Sequence, residues 1–303
     1  MQNTYSDQKI SGFSVFWGGG EAADPRLEIT TLKGKTLLTL NASPENALHP
    51  LITAERDTGN GYAISCRYYP CDEVEVTAIQ LGYEDSLRRG GGAKRKTDSK
   101  ESMDAPTLAK SCARARTAVR RKALSMEADR MLTLTFKENV EDIDVAWDRF
   151  KYFSKLCRFR WGIRWKYIAV PEYQKRGAVH FHLAIVGYFH INTIRRLWQR
   201  AVGKFGGNVD ITSPQKFGKK SWNPKRIANY ISKYIAKNDS VEFNKRRYSS
   251  GGDIQLPEPQ RGWLALGVPV IKVMAEVVEK LSRRQVTTIW ESEGFFGITY
   301  VST

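Results

Sequence analysis

Two periods alternate along this chain, a strand-like repeat of two and a helix-like repeat near 3.6, and their order predicts its architecture. Over residues 1–80 the repeat of two comes in short bursts, Thr36–Leu40 and Glu73–Ile79, between turns rich in Gly, Pro and Asn. From Met131 the elements lengthen. Met131–Phe136 alternates as a half-buried strand does. Asp142–Phe159 then puts Ile143, Ala146, Trp147, Phe150, Phe153 and Leu156 on one helical face, with acidic residues in the first turn. Trp165–Glu172 and Ala178–Val186 follow as two strands joined by a short turn at Arg176 and Gly177. Ile191–Val202 reads as a helix, Asn208–Ile211 as a short strand and Asn223–Lys237 as a further helix.

This order, with a hairpin in its middle, predicts an α+β fold: a central antiparallel sheet with flanking helices, plus a separate β-rich segment at the N-terminus. Residues 1–87 form that segment, and no chemical motif marks its role. Residues 88–106 read as a basic linker, with Arg88 and Arg89 ahead of three glycines and Lys94–Lys96. Residues 107–240 form the main domain, opening with a helix from about Thr107 to Met126. Residues 241–303 are an extension of it.

Charge narrows the function. The formal net charge is +16, which favours a polyanionic partner, because each Lys or Arg near a phosphate releases a condensed counterion. Residues 1–80 carry a net −4, residues 88–122 a net +9 and residues 131–303 a net +14. Contact with nucleic acid therefore belongs to the middle and the C-terminal part. Two runs are candidates for it. The helix before Met126 carries Arg114, Arg116, Arg120, Arg121 and Lys122; the tail from Asn244 mixes Lys245, Arg246 and Arg247 with Tyr248, a combination suited to unpaired bases. Both runs also read as ordinary solvated surface.

The polar stretch Met1–Ile10 lacks the pattern of a signal peptide, and no apolar run approaches the ~20 residues of a membrane span. The expected location is the cytoplasm, with no membrane partner. Cys66, Cys71, Cys112 and Cys157 are scattered, without a CxxC pair or a histidine at zinc-finger spacing, and read as reduced thiols.

The chemistry centres on His180-Phe181-His182. Residues two apart on a strand share a face, so both imidazoles can reach one divalent metal while Phe181 turns into the core. Glu172 stands eight residues before His180, across the turn. A loop of three or five residues puts it on the histidine face, diagonally beside His180; a one-residue change of register puts it on the other side. Two neutral imidazoles and a carboxylate suit Mg²⁺ or Mn²⁺ acting on phosphate, and by ligand type Zn²⁺ as well. On the helix Asn223–Lys237, Tyr230 and Tyr234 stand one turn apart on one face, as do Lys233 and Lys237 one step round. A phenol attacks a phosphodiester once a metal polarises the phosphate and a nearby cation helps the phenol lose its proton. Taken alone, the same helix is amphipathic with two surface tyrosines.

Residues from about 131 to 237 resemble the catalytic domain of HUH-superfamily rolling-circle replication initiators. The first-motif strand is Leu132–Phe136; the second motif is Glu172 with His180-Phe-His182, spaced as in plant geminivirus initiators; the third holds Tyr-x-x-Lys twice, at Tyr230…Lys233 and Tyr234…Lys237. The overlapping tyrosines are similar to those of microviruses and some filamentous phages and plasmids.

The resemblance implies that residues 107–240 are an HUH endonuclease domain, a site-specific DNA endonuclease and strand transferase. His180, His182 and Glu172 would hold Mg²⁺ or Mn²⁺. Tyr230 or Tyr234 would form a 5′-phosphotyrosyl link and free a 3′-hydroxyl for a polymerase, with Lys233 and Lys237 orienting phosphate or favouring the phenolate. The implied partners are single-stranded or supercoiled origin DNA and a host helicase and polymerase, in the cytoplasm of a bacterial host. Gly34-Lys35-Thr36 ends like a phosphate-binding loop, but Ile29 stands where its first glycine belongs, so no in-chain helicase is expected.

Three other readings remain at this stage. A relaxase or transposase of the HUH type shares the chemistry and differs in its DNA target. A non-catalytic basic DNA-binding protein predicts binding indifferent to metal and no covalent adduct. A metallo-hydrolase of small molecules sits poorly with the charge distribution.

Overall fold

Seven consecutive buried residues, Val179–Ile185, form the strand around which the larger part of the fold is arranged. The computed structural model describes residues 6–10, 13–17, 48–54, 60–81, 105–174, 176–212, 223–237, 246–291 and 298–302. In chain order its elements are β1 (Ser6–Ile10), β2 (Phe13–Trp17), β3 (Gly61–Tyr68), β4 (Val74–Leu81), α1 (Ala105–Ser125), β5 (Arg130–Phe136) and α2 (Ile143–Trp161). Then come β6 (Tyr167–Tyr173), β7 (Val179–Ile185), α3 (Ile191–Val202), β8 (Gly207–Thr212) and α4 (Pro224–Lys237). The last are β9 (Ser249–Gly251), β10 (Gln260–Ala265), α5 (Val270–Ser282), β11 (Thr288–Glu291) and β12 (Ile298–Ser302). The chain divides into two units, one of residues 96–256 and one of residues 1–95 with 257–303.

In the first unit five antiparallel strands lie in the order β8-β5-β7-β6-β9. Alternation along β7 divides its side chains between two covered faces. Phe181 turns toward α2, where its ring lies 4.8 Å from Trp147 and 4.9 Å from Phe150. Leu132, Leu134, Leu183 and Ile185 fill the same layer with Ile194 and Trp198 of α3. On the opposite face α4 crosses β6 and β7, and α1 packs against α4. Sheet, two helices before it and two behind it make a three-layer α+β unit, the class that the pattern predicts.

Local chemistry sets the boundaries. Asp142 caps α2, its carboxylate accepting from the backbone N–H of Asp144 at 2.8 Å and Val145 at 3.3 Å; such a cap stabilises a helix by ~1 kcal/mol. The helix runs to Trp161, two residues beyond the expected end, and Gly162 then takes a positive φ of 59°. The hairpin closes through Gln174–Ala178, with Gly177 at a φ of 86°.

The second unit has its own antiparallel sheet, in the order β10-β3-β4-β12-β11, with α5 packed on β4 and β12. Ile64, Val76, Leu264, Met274, Val277 and Val301 lie in its core, and His49 Nε2 donates to Glu276 Oε2 at 2.7 Å. The N-terminal strands β3 and β4 thus complete their sheet with β10 and β12 from residues 257–303. β1 and β2 form a separate two-stranded ladder. The expected strand Thr36–Leu40, the Gly34-Lys35-Thr36 stretch and residues 88–104 of the expected linker lie outside the described residues; residues 105 and 106 already belong to α1. All four cysteines are free, and no helix among the described residues is long and apolar enough to cross a membrane.

Candidate active site on the histidine face

The register of β7 decides what meets what. Glu172 of β6 pairs with His180, and Thr133 of β5 pairs with His182. The five-residue connection therefore puts Glu172 on the histidine face, directly opposite His180 rather than diagonal to it. Its carboxylate reaches the diagonal neighbour instead: His182 Nε2 donates to Glu172 Oε2 at 2.7 Å. On the other side of the ring, Thr133 Oγ1 lies 3.3 Å from Nδ1. With Nε2–H facing the carboxylate, Nδ1 is the acceptor and the threonine hydroxyl the donor. Thr133 is a contact that sequence reasoning passed over, although it stands on the first-motif strand at an alternate position that only the register points at His182.

His180 differs. Its ring is buried, and Nε2 has no hydrogen-bond partner. Burial foremost, then the charges of His182 and Arg176, lower its pKa from 6.5 to about 4 against the opposing pull of Glu172. The imidazole is neutral at pH 7, with a buried, unpaired ring nitrogen. Such an atom costs free energy unless something binds it, and neutral imidazole is the form that ligates a divalent cation. Arg176, expected only as a turn residue, contributes to this shift.

Among the described residues, no group of three or more His, Cys, Asp and Glu side chains stands in an arrangement that holds a metal ion. The expected set of His180, His182 and Glu172 shares one face, but Glu172 and His182 bond to each other. Ligation of one cation by all three requires that bond to be exchanged.

The tyrosines reach the same face from α4. Ile227, Ala228, Ile231 and Ile235 are buried and seat the helix. That seating turns Tyr234 inward, 6 % exposed, and leaves Tyr230 40 % exposed. The Tyr234 ring stacks on the His182 imidazole, and its hydroxyl donates to the Tyr230 oxygen at 2.7 Å. Burial first, then the bond to Tyr230 and the charges of Tyr230 and Glu172, hold the Tyr234 phenol well above the usual tyrosine range. Near neutral pH it is a protonated donor. Lys233 is exposed and makes no hydrogen bond or ion pair among the described residues; the side chain of Lys237 lies outside them.

The two basic runs converge inside this unit. Lys122 Nζ of α1 donates to Ser250 Oγ at 2.6 Å and sits 5.6 Å over the Tyr248 ring. Arg246 lies 5.8 Å over the ring of Trp147. Arg114 and Arg116 remain exposed, and Lys245 lies outside the described residues.

No curated protein and no solved structure matches this chain. A family model does match, over residues 129–239. That span runs from the start of β5 through the end of α4 and contains Thr133, Glu172, both histidines of β7 and both tyrosines. The part of the chain that builds the histidine–tyrosine face is similar to the family described as replication-associated protein ORF2, and on that match it is a replication-associated segment.

Proposed function

We propose that this chain initiates rolling-circle replication as an HUH-type endonuclease, nicking single-stranded origin DNA by tyrosine attack. The observation that carries the reading is the seating of α4, which sets two hydroxyls, 2.7 Å apart, against the paired imidazoles of the central strand. The match over residues 129–239 supports replication over conjugative transfer or transposition as the setting.

His180, His182 and Glu172 are the side chains that would hold Mg²⁺ or Mn²⁺. The buried, unpaired Nε2 of His180 fits that role, and His182 must give up its Nε2 proton before it can ligate. When bound, the ion polarises the scissile phosphate and offsets the charge that develops in the transition state.

The residues divide the remaining work. Tyr230 is the exposed phenol and attacks phosphorus; its proton passes to solvent. A bond forms between its oxygen and the 5′-phosphate, the P–O3′ bond breaks, and the departing oxygen takes a proton to become a free 3′-hydroxyl. Tyr234 donates to the Tyr230 oxygen and so favours the charge that oxygen carries during attack. Lys233, one turn from Tyr230, offers an uncommitted cation to the phosphate. Tyr234 serves as a second nucleophile only after its ring leaves the His182 stack. Strand separation is left to a host helicase or to supercoiling, and extension to a host polymerase.

The test is a covalent one. The protein is incubated with Mn²⁺ and single-stranded oligonucleotides tiling the replicon that encodes it, then denatured. An adduct on one oligonucleotide is expected, lost in the Tyr230→Phe/Tyr234→Phe double variant. An adduct that persists in the double variant ends the proposal, and DNA binding with no adduct leaves a non-catalytic binder.

A further inference from the structure

Between Asp148 and Glu172 the chain carries seven basic residues and no acidic one. This segment includes most of α2, the turn Gly162–Arg164 and the start of β6. Two of its cations are engaged: Lys151 pairs with Asp148 at 2.9 Å, and Arg149 lies 5.3 Å over the Phe205 ring. Lys155, Arg158, Arg160 and Arg164 have no carboxylate partner among the described residues. All four are exposed.

Helical spacing sorts them. Residues 151, 152, 155, 158 and 159 follow the i, i+3, i+4, i+7 pattern of a single face. The buried residues of α2, namely Ala146, Trp147, Phe150, Phe153 and Cys157, occupy the other. The outer face therefore mixes Lys155 and Arg158 with the rings of Tyr152 and Phe159. Phe159 is 92 % exposed, and Ile163 in the turn that follows is 86 % exposed. A solvated helix face ordinarily carries both signs of charge and few bare large apolar groups. This one carries a single sign and a ring standing free in water.

Its position is equally definite. Phe181, which α2 covers, alternates on β7 with His180 and His182, which α4 approaches. The outer face of α2 thus lies behind the sheet, on the side away from the tyrosines. Lys151 to Arg160 spans roughly 14 Å at the helical rise per residue.

We propose that this ridge binds single-stranded DNA outside the segment being cut, with Lys155, Arg158, Arg160 and Arg164 contacting phosphates and Phe159 stacking on an unpaired base. Cations interleaved with exposed rings are the surface that unpaired strands require, since every base has a π-face and every nucleotide a charge. The ridge deepens the replication reading only in needing a DNA partner; it is independent of the tyrosine chemistry.

The experiment measures binding without chemistry. The full chain, in EDTA, is titrated against a fluorescent single-stranded oligonucleotide and a duplex of equal length, at several salt concentrations. Arg158→Ala/Arg160→Ala/Arg164→Ala is expected to weaken single-strand binding and to flatten the slope of log K against log salt by about 2, near 0.7 per lost phosphate contact. Phe159→Ala is expected to weaken single-strand binding on the order of tenfold, with the salt slope and duplex binding unchanged. Both variants remove exposed side chains, so thermal melting matches the parent, and adduct formation at saturating DNA proceeds at the parent rate. Unchanged affinity and slope in the triple variant overturn the proposal. So does an equal loss on duplex and single strand with no effect of Phe159→Ala. Absence of any adduct from the parent protein overturns the nicking reading and leaves this one standing.

Discussion

The Tyr234 ring lies flat on the His182 imidazole, with centroids 3.9 Å apart and planes 9° from parallel. His182 is held on its other edges, by Glu172 at Nε2 and Thr133 at Nδ1. A ring fixed from three sides fixes its stacking partner, and through it the rotation of α4 about its axis. Tyr230, one turn earlier, is thereby turned outward with its oxygen against the Tyr234 hydroxyl. Two residues that look equivalent in the sequence are unequal in the fold.

Unequal surroundings imply unequal losses. Tyr230→Phe removes the attacking oxygen and is expected to lower the single-turnover rate of adduct formation by at least about a thousandfold, the scale on which removal of a nucleophile acts. Tyr234→Phe keeps the ring on His182 and removes only the donated hydrogen bond. A loss on the order of tenfold is expected there, about 1.4 kcal/mol of transition-state stabilisation. A larger loss from Tyr234→Phe than from Tyr230→Phe assigns the attack to the inner phenol.

The lone nitrogen of His180 gives the metal proposal a test that needs no DNA. A ligand that binds the folded chain alone raises its stability by about 2.7 kcal/mol at a hundred times its Kd. Mn²⁺ is therefore expected to raise the melting temperature of the parent protein. His180→Ala removes the buried ligand atom and should weaken Mn²⁺ binding by more than about a hundredfold, erasing most of that rise at equal concentration. Electron paramagnetic resonance of free Mn²⁺ reads the same affinity directly. An equal rise in both proteins excludes His180 as a ligand.

Much of the first unit was legible because its signals are periodic. Alternation in Met131–Phe136 and the helical face of Asp142–Phe159 survive any detail of packing, so β5 and α2 stand close to where the pattern puts them. Thr133 and the exchange between Glu172 and His182 were not legible, because they depend on register and on which rotamer a carboxylate takes. The same holds for the tyrosines: spacing puts Tyr230 and Tyr234 on one face, but only the seating of Ile227, Ile231 and Ile235 decides which of them turns in. The joining of β3 and β4 with β10 and β12 pairs residues about two hundred positions apart, beyond the reach of any local pattern.

Thiol reactivity checks both cores at once. Burial pushes the Cys66 thiol up to about 12, aided by the charge of Glu75 and opposed by that of Arg67, and burial likewise raises the Cys157 thiol. A raised thiol pKa lowers the thiolate fraction at any given pH, and the thiolate is the nucleophile; at pH 8, Cys66 would be thiolate to about one part in ten thousand. With Ellman's reagent at that pH, only the half-buried Cys71 and Cys112 are expected to react in the native protein. Cys66 and Cys157 should follow on addition of urea. Four fast thiols without denaturant would mean that neither core is packed as described.

Gly207 gives the sharpest test of the sheet behind the site. It pairs with Phe136 at the end of β8, where a Cβ would meet the Trp198 indole and come within 2.7 Å of the Thr135 carbonyl oxygen. Trp198 cannot step aside cheaply. It is fully buried, its Nε1–H donates to that same carbonyl at 2.9 Å, and its ring lies 5.2 Å from Phe136 and 5.4 Å from Phe153. Gly207→Ala therefore forces either an overpacked core, at about 1–3 kcal/mol, or a buried indole N–H without its acceptor, at a similar cost. The backbone contributes nothing to the penalty, since Gly207 is not among the positive-φ glycines. A urea midpoint lowered by the equivalent of about 2 kcal/mol, with the slope of the transition unchanged, is the expected result. A midpoint within about 0.5 kcal/mol of the parent would mean that the strand end and the indole are not packed against each other, and that the β5–β8 ladder beside the histidine strand is looser than drawn.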